Sequence, residues 1–131
     1  MSFKYSKASL ARLNTCAQPL QSLFREVIKV TDCTILEGHR NQECQDAAFA
    51  EGRSKLKWPN GKHNTYPSHA IDAAPWPIDW EDRDRFHLFG GLVLGVAHGL
   101  AVPLRWGGDW DGDFQTSDNS FDDLVHFELK E

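Results

Sequence analysis

The stretch GKHNTYPSHAID, residues 61–72, holds His63, His69 and Asp72, and the closing stretch DDLVHFEL adds Asp123 and His126. Histidine nitrogens and a carboxylate oxygen are the donors of a hydrolytic zinc site, which has three protein ligands and a fourth position left for water. His63, Asp72 and His126 make such a set if neighbouring strands of one sheet bring them together. Asp123 stands three residues before His126, placed to take a proton from water that a metal has made more acidic. Plainer readings stand beside these. Taken singly, His63 is more often a solvated loop histidine than a ligand, and His126 is as readily a satisfied core residue of an apolar strand. Asp72 is less easily explained away, because a carboxylate between Ile71 and Ala73 on a buried strand costs several kcal/mol unless a cation or donors compensate it. HExxH is absent, so the set depends on tertiary structure.

The elements that must carry these residues are legible from period and punctuation. Leu10 and Leu13 follow a short polar arm; after Pro19, the residues Leu20, Leu23, Phe24, Val27 and Ile28 recur at helical spacing, with proline suited to a first turn. Thr34–Leu36 reads as a strand running into Gly38, His39 and Arg40, and Asn41 is suited to cap a helix over Gln42–Ala50. Arg40 then lies at a strand-to-helix corner. Residues 52–68 have neither period and form a long loop. Ala70–Ala74 is a small-residue strand ending at Pro75, and Asp79 or Asp82 starts a helix carrying Phe86, Phe89, Leu92, Val93, Val96, Ala97 and Leu100. Gly90, Gly91 and Gly95 weaken that helix, so close packing of all three on a strand is expected. Leu104–Trp106 and Leu124–Leu129 are strands, joined by an acidic loop from Asp109 to Asp123.

Bulk properties narrow the function. The 131 residues fit one domain with one core. A net charge of −5, without a basic block, speaks against nucleic acid as a partner. Three cysteines, Cys16, Cys33 and Cys44, form no CxxC knuckle and no evident disulfide framework, so they read as thiols. No apolar run approaches the roughly 20 residues of a membrane span, and the polar start lacks the apolar core of a signal peptide. A monomer is expected, since no apolar stripe is left once the core is assigned.

GHRNQECQ, GKHNTYPSHAIDAAP, LRWGGDW and DDLVHFEL, in this order and at these separations, resemble the phage endolysin peptidases that cleave the L-alanyl-D-glutamate bond of bacterial peptidoglycan. That family lies within the zinc D,D-carboxypeptidases and D,D-dipeptidases, whose pattern is SxHxxGxAxD followed by a carboxylate and a histidine. The likeness runs from about Ser2 to Leu129. It implies an α+β fold, with a small central antiparallel sheet and helices packed on it in the zinc D,D-peptidase and hedgehog-like manner, and no separate wall-binding domain. It also implies Zn2+ held by His63, Asp72 and His126, with Asp123 as the catalytic carboxylate and Arg40 binding substrate and the developing oxyanion. The implied substrate is the peptide stem of peptidoglycan, reached from the host cytoplasm through a separate pore such as a holin. Two rivals share these residues: a D,D- or L,D-carboxypeptidase that trims the stem, and a non-catalytic wall-binding module.

The chain departs from the pattern in one place. Eight residues separate His63 from Asp72 where six are usual, and Tyr66–Ser68 replaces the glycine. His69 is thus a second candidate near the metal, although it should face away from Asp72. His39, Gln45, Trp106 and Trp110 are candidate cleft residues, whereas His87 and His98 read as structural or exposed. Asp109, Asp111 and Asp113 alternate like the start of a calcium loop, but Phe114 stands where an EF-hand has glycine and the twelfth position is not glutamate.

Overall fold

Four strands pair into one antiparallel sheet in the order β1-β2-β4-β3: β1 (Cys33–Glu37), β2 (Ala70–Pro75), β3 (Leu104–Gly107) and β4 (Asp123–Leu129). The computed structural model from which this comes describes residues 3–117 and 122–130. Successive side chains on a strand point to opposite faces, so the cross-strand pairs sort the sheet into two surfaces. Ile71 and Trp106 both lie opposite Phe127, and these apolar groups meet the helices. Asp72 lies opposite His126, and Arg105 opposite Glu128, on the other surface. The alternation therefore separates core from cleft residue by residue.

The helices are α1 (Lys7–Leu13), α2 (Gln18–Val30), α3 (Gln42–Ala50) and α4 (Arg83–Gly99). In α2 the buried stripe is Leu20, Leu23, Phe24, Val27 and Ile28, as the period predicts. Helix α4 packs on α2 and on β2, β3 and β4. Phe127 sits fully buried where these layers meet, with ring centroids 5.7 Å from Phe24, 6.1 Å from Phe89 and 6.5 Å from Trp106. Full burial of one such side chain stabilises by about 1.5–3 kcal/mol. Because Phe127 adjoins His126 in β4, the same packing fixes the strand that presents the histidine.

The caps agree with the sequence at α3 and refine it at α4 and α1. Asn41 accepts the Cys44 N–H at 2.9 Å and starts α3 where expected. Asp82, not Asp79, caps α4, accepting from Arg85 N–H at 3.2 Å. Residues 7–13, read as a polar arm running into Leu10 and Leu13, form a helix capped by Ser6 and anchored by buried Ser9 and Leu13. Seven residues are too few for a helical period to register. Of the three glycines expected to pack on a strand, only Gly90 does: a Cβ there would come within 2.3 Å of the Trp106 ring, whereas Gly91 and Gly95 face open space.

The chain remains an α+β fold with helices on a central antiparallel sheet. All three cysteines are free, with Cys16 and Cys33 buried and Cys44 exposed. Among the described residues no helix is long and apolar enough to cross a membrane. Part of the acidic loop between β3 and β4, residues 118–121, lies outside the described residues.

Candidate active site

His63 reaches the sheet from a single 3-10 turn, Lys62–Asn64, inside the long loop. Its Nε2 lies 3.2 Å from Asp72 Oδ1, and His126 Nδ1 lies 3.3 Å from the same oxygen. The direct pairing of Asp72 with His126 across β2 and β4 produces the second of these approaches. Ligands held at about 2.0–2.1 Å in a tetrahedron stand about 3.3 Å from one another. The two measured separations meet that requirement, and one donor atom from each of the three residues lies within 4.8 Å of the others. Two imidazole nitrogens and a carboxylate are also the donor chemistry of a catalytic zinc site. The residues present therefore fit such an ion.

Each imidazole is aimed by a partner on its other nitrogen. His63 Nδ1 lies 2.7 Å from the Gly38 carbonyl, which fixes a proton there and leaves Nε2 to face Asp72. His126 Nε2 lies 2.8 Å from Glu128 Oε1, leaving Nδ1 inward. Glu128 in turn meets Lys62 Nζ at 3.2 Å. Burial disfavours the Glu128 charge, but His126 and Lys62 outweigh it and lower its pKa. Burial likewise opposes ionisation of Asp72, yet His63 and His126 hold that carboxyl well below the usual range. Burial would also keep His126 neutral, but Asp72 and Glu128 raise its pKa to about 9. Metal-free, this is a cation–carboxylate cluster in a partly dry cleft.

Asp123 shares that cleft because β4 is irregular at its start. On a regular strand, residues three apart face opposite ways. Here Trp106 pairs with Phe127 while the next residue, Gly107, pairs with Asp123, so β4 carries extra residues against β3. Such bulges re-aim side chains. The approach is close: a Cβ on Gly107 would lie 2.1 Å from the Asp123 carbonyl oxygen. Burial and the neighbouring Asp72 charge raise the Asp123 pKa, against the pull of His126, His63 and Arg40.

Arg40 occupies the corner between β1 and α3. Glu37 grips its Nε and Nη2 at 2.8 Å each, and Gln45 Oε1 accepts from Nη1 at 2.9 Å. Its Nη2 is 4.0 Å from Asp72 Oδ2. Arg40, His63, Asp72, Asp123 and His126 all line one cavity of about 560 Å³.

The other nominated residues divide. Gln45 is buried under Arg40 and also bonds Asn64 and the Leu56 carbonyl. Trp110 lines the cleft, its ring 5.6 Å from His126, whereas Trp106 is a core residue donating to the Leu124 carbonyl at 2.9 Å. His69 ends the loop and uses its backbone to bond Lys62 and Leu129; it is outside the converging group. His39 bonds the Thr65 carbonyl and meets Tyr66 edge-on. His87 packs edge-on against Trp106, and His98 is exposed on α4. Glu37 and Glu128 escaped sequence reasoning, although Glu128 stands two residues from His126 and so had to share its strand face.

Comparison with known proteins gives a consistent relationship. A family model described as phage L-alanyl-D-glutamate peptidase matches residues 1–130. The L-alanyl-D-glutamate peptidase of Escherichia phage T5 is 35% identical over 122 residues, covering 87% of this chain and 88% of its own. Among solved structures, the Serratia marcescens L-Ala D-Glu endopeptidase ChiX matches with a TM-score of 0.76 over 97% of this chain and 90% of that chain. At 21% identity, that likeness speaks to the fold. With nearly its whole length matched, the chain belongs to the phage L-alanyl-D-glutamate peptidase family.

Proposed function

We propose that the chain is a zinc peptidase that hydrolyses the L-alanyl-D-glutamate bond in the peptide stems of bacterial peptidoglycan and so lyses the host cell. The observation that carries this reading is the convergence of His63, Asp72 and His126 beside a further carboxylate, Asp123, in one cleft of a chain of this family. His63, Asp72 and His126 would hold the ion. When bound, zinc supplies Lewis acidity, polarising the scissile carbonyl and lowering the pKa of water towards about 7. Asp123 takes the proton of the attacking water as the new C–O bond forms, then delivers it to the alanyl–glutamyl nitrogen as the C–N bond breaks. A carboxylate with a raised pKa suits both halves of that transfer.

Arg40 is held by Glu37 and Gln45, so its guanidinium is fixed before substrate arrives. Its remaining N–H groups serve the carbonyl oxygen as charge develops there, which is worth most when the donor needs no reorganisation. Arg53, Lys55, Lys62 and Arg105 line the same cleft. They suit the carboxylates of a glutamate-containing stem, in a chain whose overall charge is −5. In this reading the protein acts as a monomer, made in the host cytoplasm and reaching the wall through a separately supplied pore.

The test is mass spectrometry of purified Gram-negative sacculi digested with chelated and zinc-restored protein. New glutamate amino termini that vanish on chelation and return with zinc are expected. Release of free D-alanine would replace the reading with a carboxypeptidase, and intact sacculi under every metal condition would reduce the protein to a binding module.

A further inference from the structure

Besides Arg40, the cations on the cleft wall are Arg53, Lys55, Lys62 and Arg105, and they are not equally committed. Arg53 pairs with Glu51 at 2.7 Å, Lys55 is partnered, and Lys62 donates to the Leu129 carbonyl and meets Glu128 at 3.2 Å. Arg105 is different. Its ion pair among the described residues is with Glu128, whose Oε2 lies 3.8 Å from Nη1, too far for a hydrogen bond. Glu128 is also shared, since its Oε1 meets His126 Nε2 and its Oε2 meets Lys62. Arg105 therefore keeps its N–H donors for an anion in the cleft, and its side chain is 42% exposed to receive one.

Register places that guanidinium. Arg105 pairs with Glu128 across β3 and β4, and Glu128 stands two residues from His126 on the same face, so Arg105 is the diagonal neighbour of His126. Such neighbours are about 7–8 Å apart at the backbone, within reach of a long side chain. In an L-alanyl-D-glutamate bond, the carbon that bears the scissile nitrogen also bears the glutamate α-carboxyl. That group is three bonds from the scissile carbonyl carbon, and so under about 4 Å from it. A stem that continues through the γ-carboxyl leaves the α-carboxyl either free, as a carboxylate, or capped, as a primary amide. With the scissile carbonyl at His63, Asp72 and His126, the substrate brings this group within range of Arg105.

We propose that Arg105 binds the free α-carboxylate of the D-glutamate residue and makes the protein selective for stems in which that group is not amidated; the inference rests on the peptidase reading above. A planar guanidinium meets a carboxylate with two parallel N–H···O bonds, a geometry that lysine does not supply. A primary amide offers one acceptor oxygen and turns N–H donors towards the fork, so it loses a bond and the charge together. Hydrogen bonds to charged groups are worth about 10–100-fold in binding. The carboxylates of the cleft do not compete for Arg105, because Glu37 is held by Arg40, Asp72 by the two histidines, and Glu128 by His126 and Lys62.

Two muropeptides that differ only in whether the D-glutamate α-carboxyl is the acid or the amide would be given to zinc-loaded protein. The acid should be favoured in kcat/KM by about 10–100-fold, and the ratio should shrink towards unity in Arg105→Gln and survive in part in Arg105→Lys. Calorimetry on Asp123→Ala protein, in which the peptide stays intact, should show the same preference as affinity, and R105Q in that background should lose it. A third muropeptide, with its C-terminal carboxyl amidated and the glutamate α-carboxyl free, should be cleaved like the acid. Equal kcat/KM for acid and amide, an unchanged ratio in an R105Q protein that melts like the parent, or a preference that follows the C-terminal carboxyl would each overturn the assignment and leave the peptidase reading standing. Failure to cleave any of the three would overturn that reading and the assignment with it.

Discussion

Removing the metal and raising the pH should strip a defined amount of stability from this protein, and His126 sets the amount. Metal-free, its folded pKa is about 9, against about 6.5 in an unfolded chain. Because the folded value is the higher one, the stabilisation is fully present below about pH 6.5 and is lost as pH rises through about 9. The difference is worth about 3 kcal/mol in all, of which about 2 kcal/mol disappears between about pH 6 and 8.5. The His126 side chain is 13% exposed, so solvent screening removes little of this. The low pKa of Asp72 acts at the opposite end: its contribution is present above about pH 4 and fades only as pH falls through the lower folded value.

Urea unfolding of chelated protein would read the effect. With a slope of about 2 kcal/mol/M, the midpoint should fall by about 1 M between about pH 6 and 8.5. Cys16 and Cys33, whose burial raises their pKa values to about 12 and about 11, add a loss above about pH 8.5. That loss is common to wild type and H126N and cancels in their comparison. The same proton must leave when a metal binds, so apparent zinc affinity should rise about tenfold per pH unit up to about pH 9. Equal midpoints at both pH values, or the same fall in H126N, would refute the cluster electrostatics described here. A zinc affinity flat above about pH 6.5 would do so independently.

Asp123→Ala should lower kcat by about 10²–10⁴ while leaving zinc stoichiometry unchanged by atomic absorption; equal loss of metal would make Asp123 a ligand. Glu128→Gln should weaken zinc binding by about 10–100-fold, measured by competition with a chromophoric chelator, because the orienting charge on His126 Nε2 is gone. Gly107→Ala drives a Cβ into the Asp123 backbone, so turnover of sacculi should fall while zinc affinity is retained; full activity would show that the bulge does not aim Asp123. Gly90→Ala forces its methyl into the Trp106 ring, at a cost of about 1–3 kcal/mol, seen as a lower Tm with the zinc site intact.

Long periodic segments were readable in advance because their signal is repeated many times: α2 and α4 follow from apolar spacing, and Asn41 marks the start of α3. Asp72 was readable for a different reason, since a carboxylate among small apolar residues demands compensation wherever it ends up. The orienting partners were not. Gly38 contributes a backbone carbonyl to His63, which no side-chain pattern encodes, and Glu37 reaches Arg40 through a corner whose angle is set by tertiary packing. The extra length between His63 and Asp72 was visible, but its accommodation was not: His63 lies in a 3-10 turn, and residues 65–69 link that turn to β2.

Asp123 shows most clearly what spacing alone conceals. Three residues from His126 on a regular strand, it would face the core, and a reading based on strict alternation would have discarded it. Its place in the cleft depends on β4 carrying extra residues against β3, and that mismatch depends on Gly107 lacking a Cβ where the two backbones come together. The determinant of the carboxylate's position thus lies sixteen residues upstream, on the neighbouring strand, in a residue with no functional group. Gly107→Ala therefore isolates placement from chemistry, since it leaves every ionisable group of the cleft unchanged and moves only where one of them points.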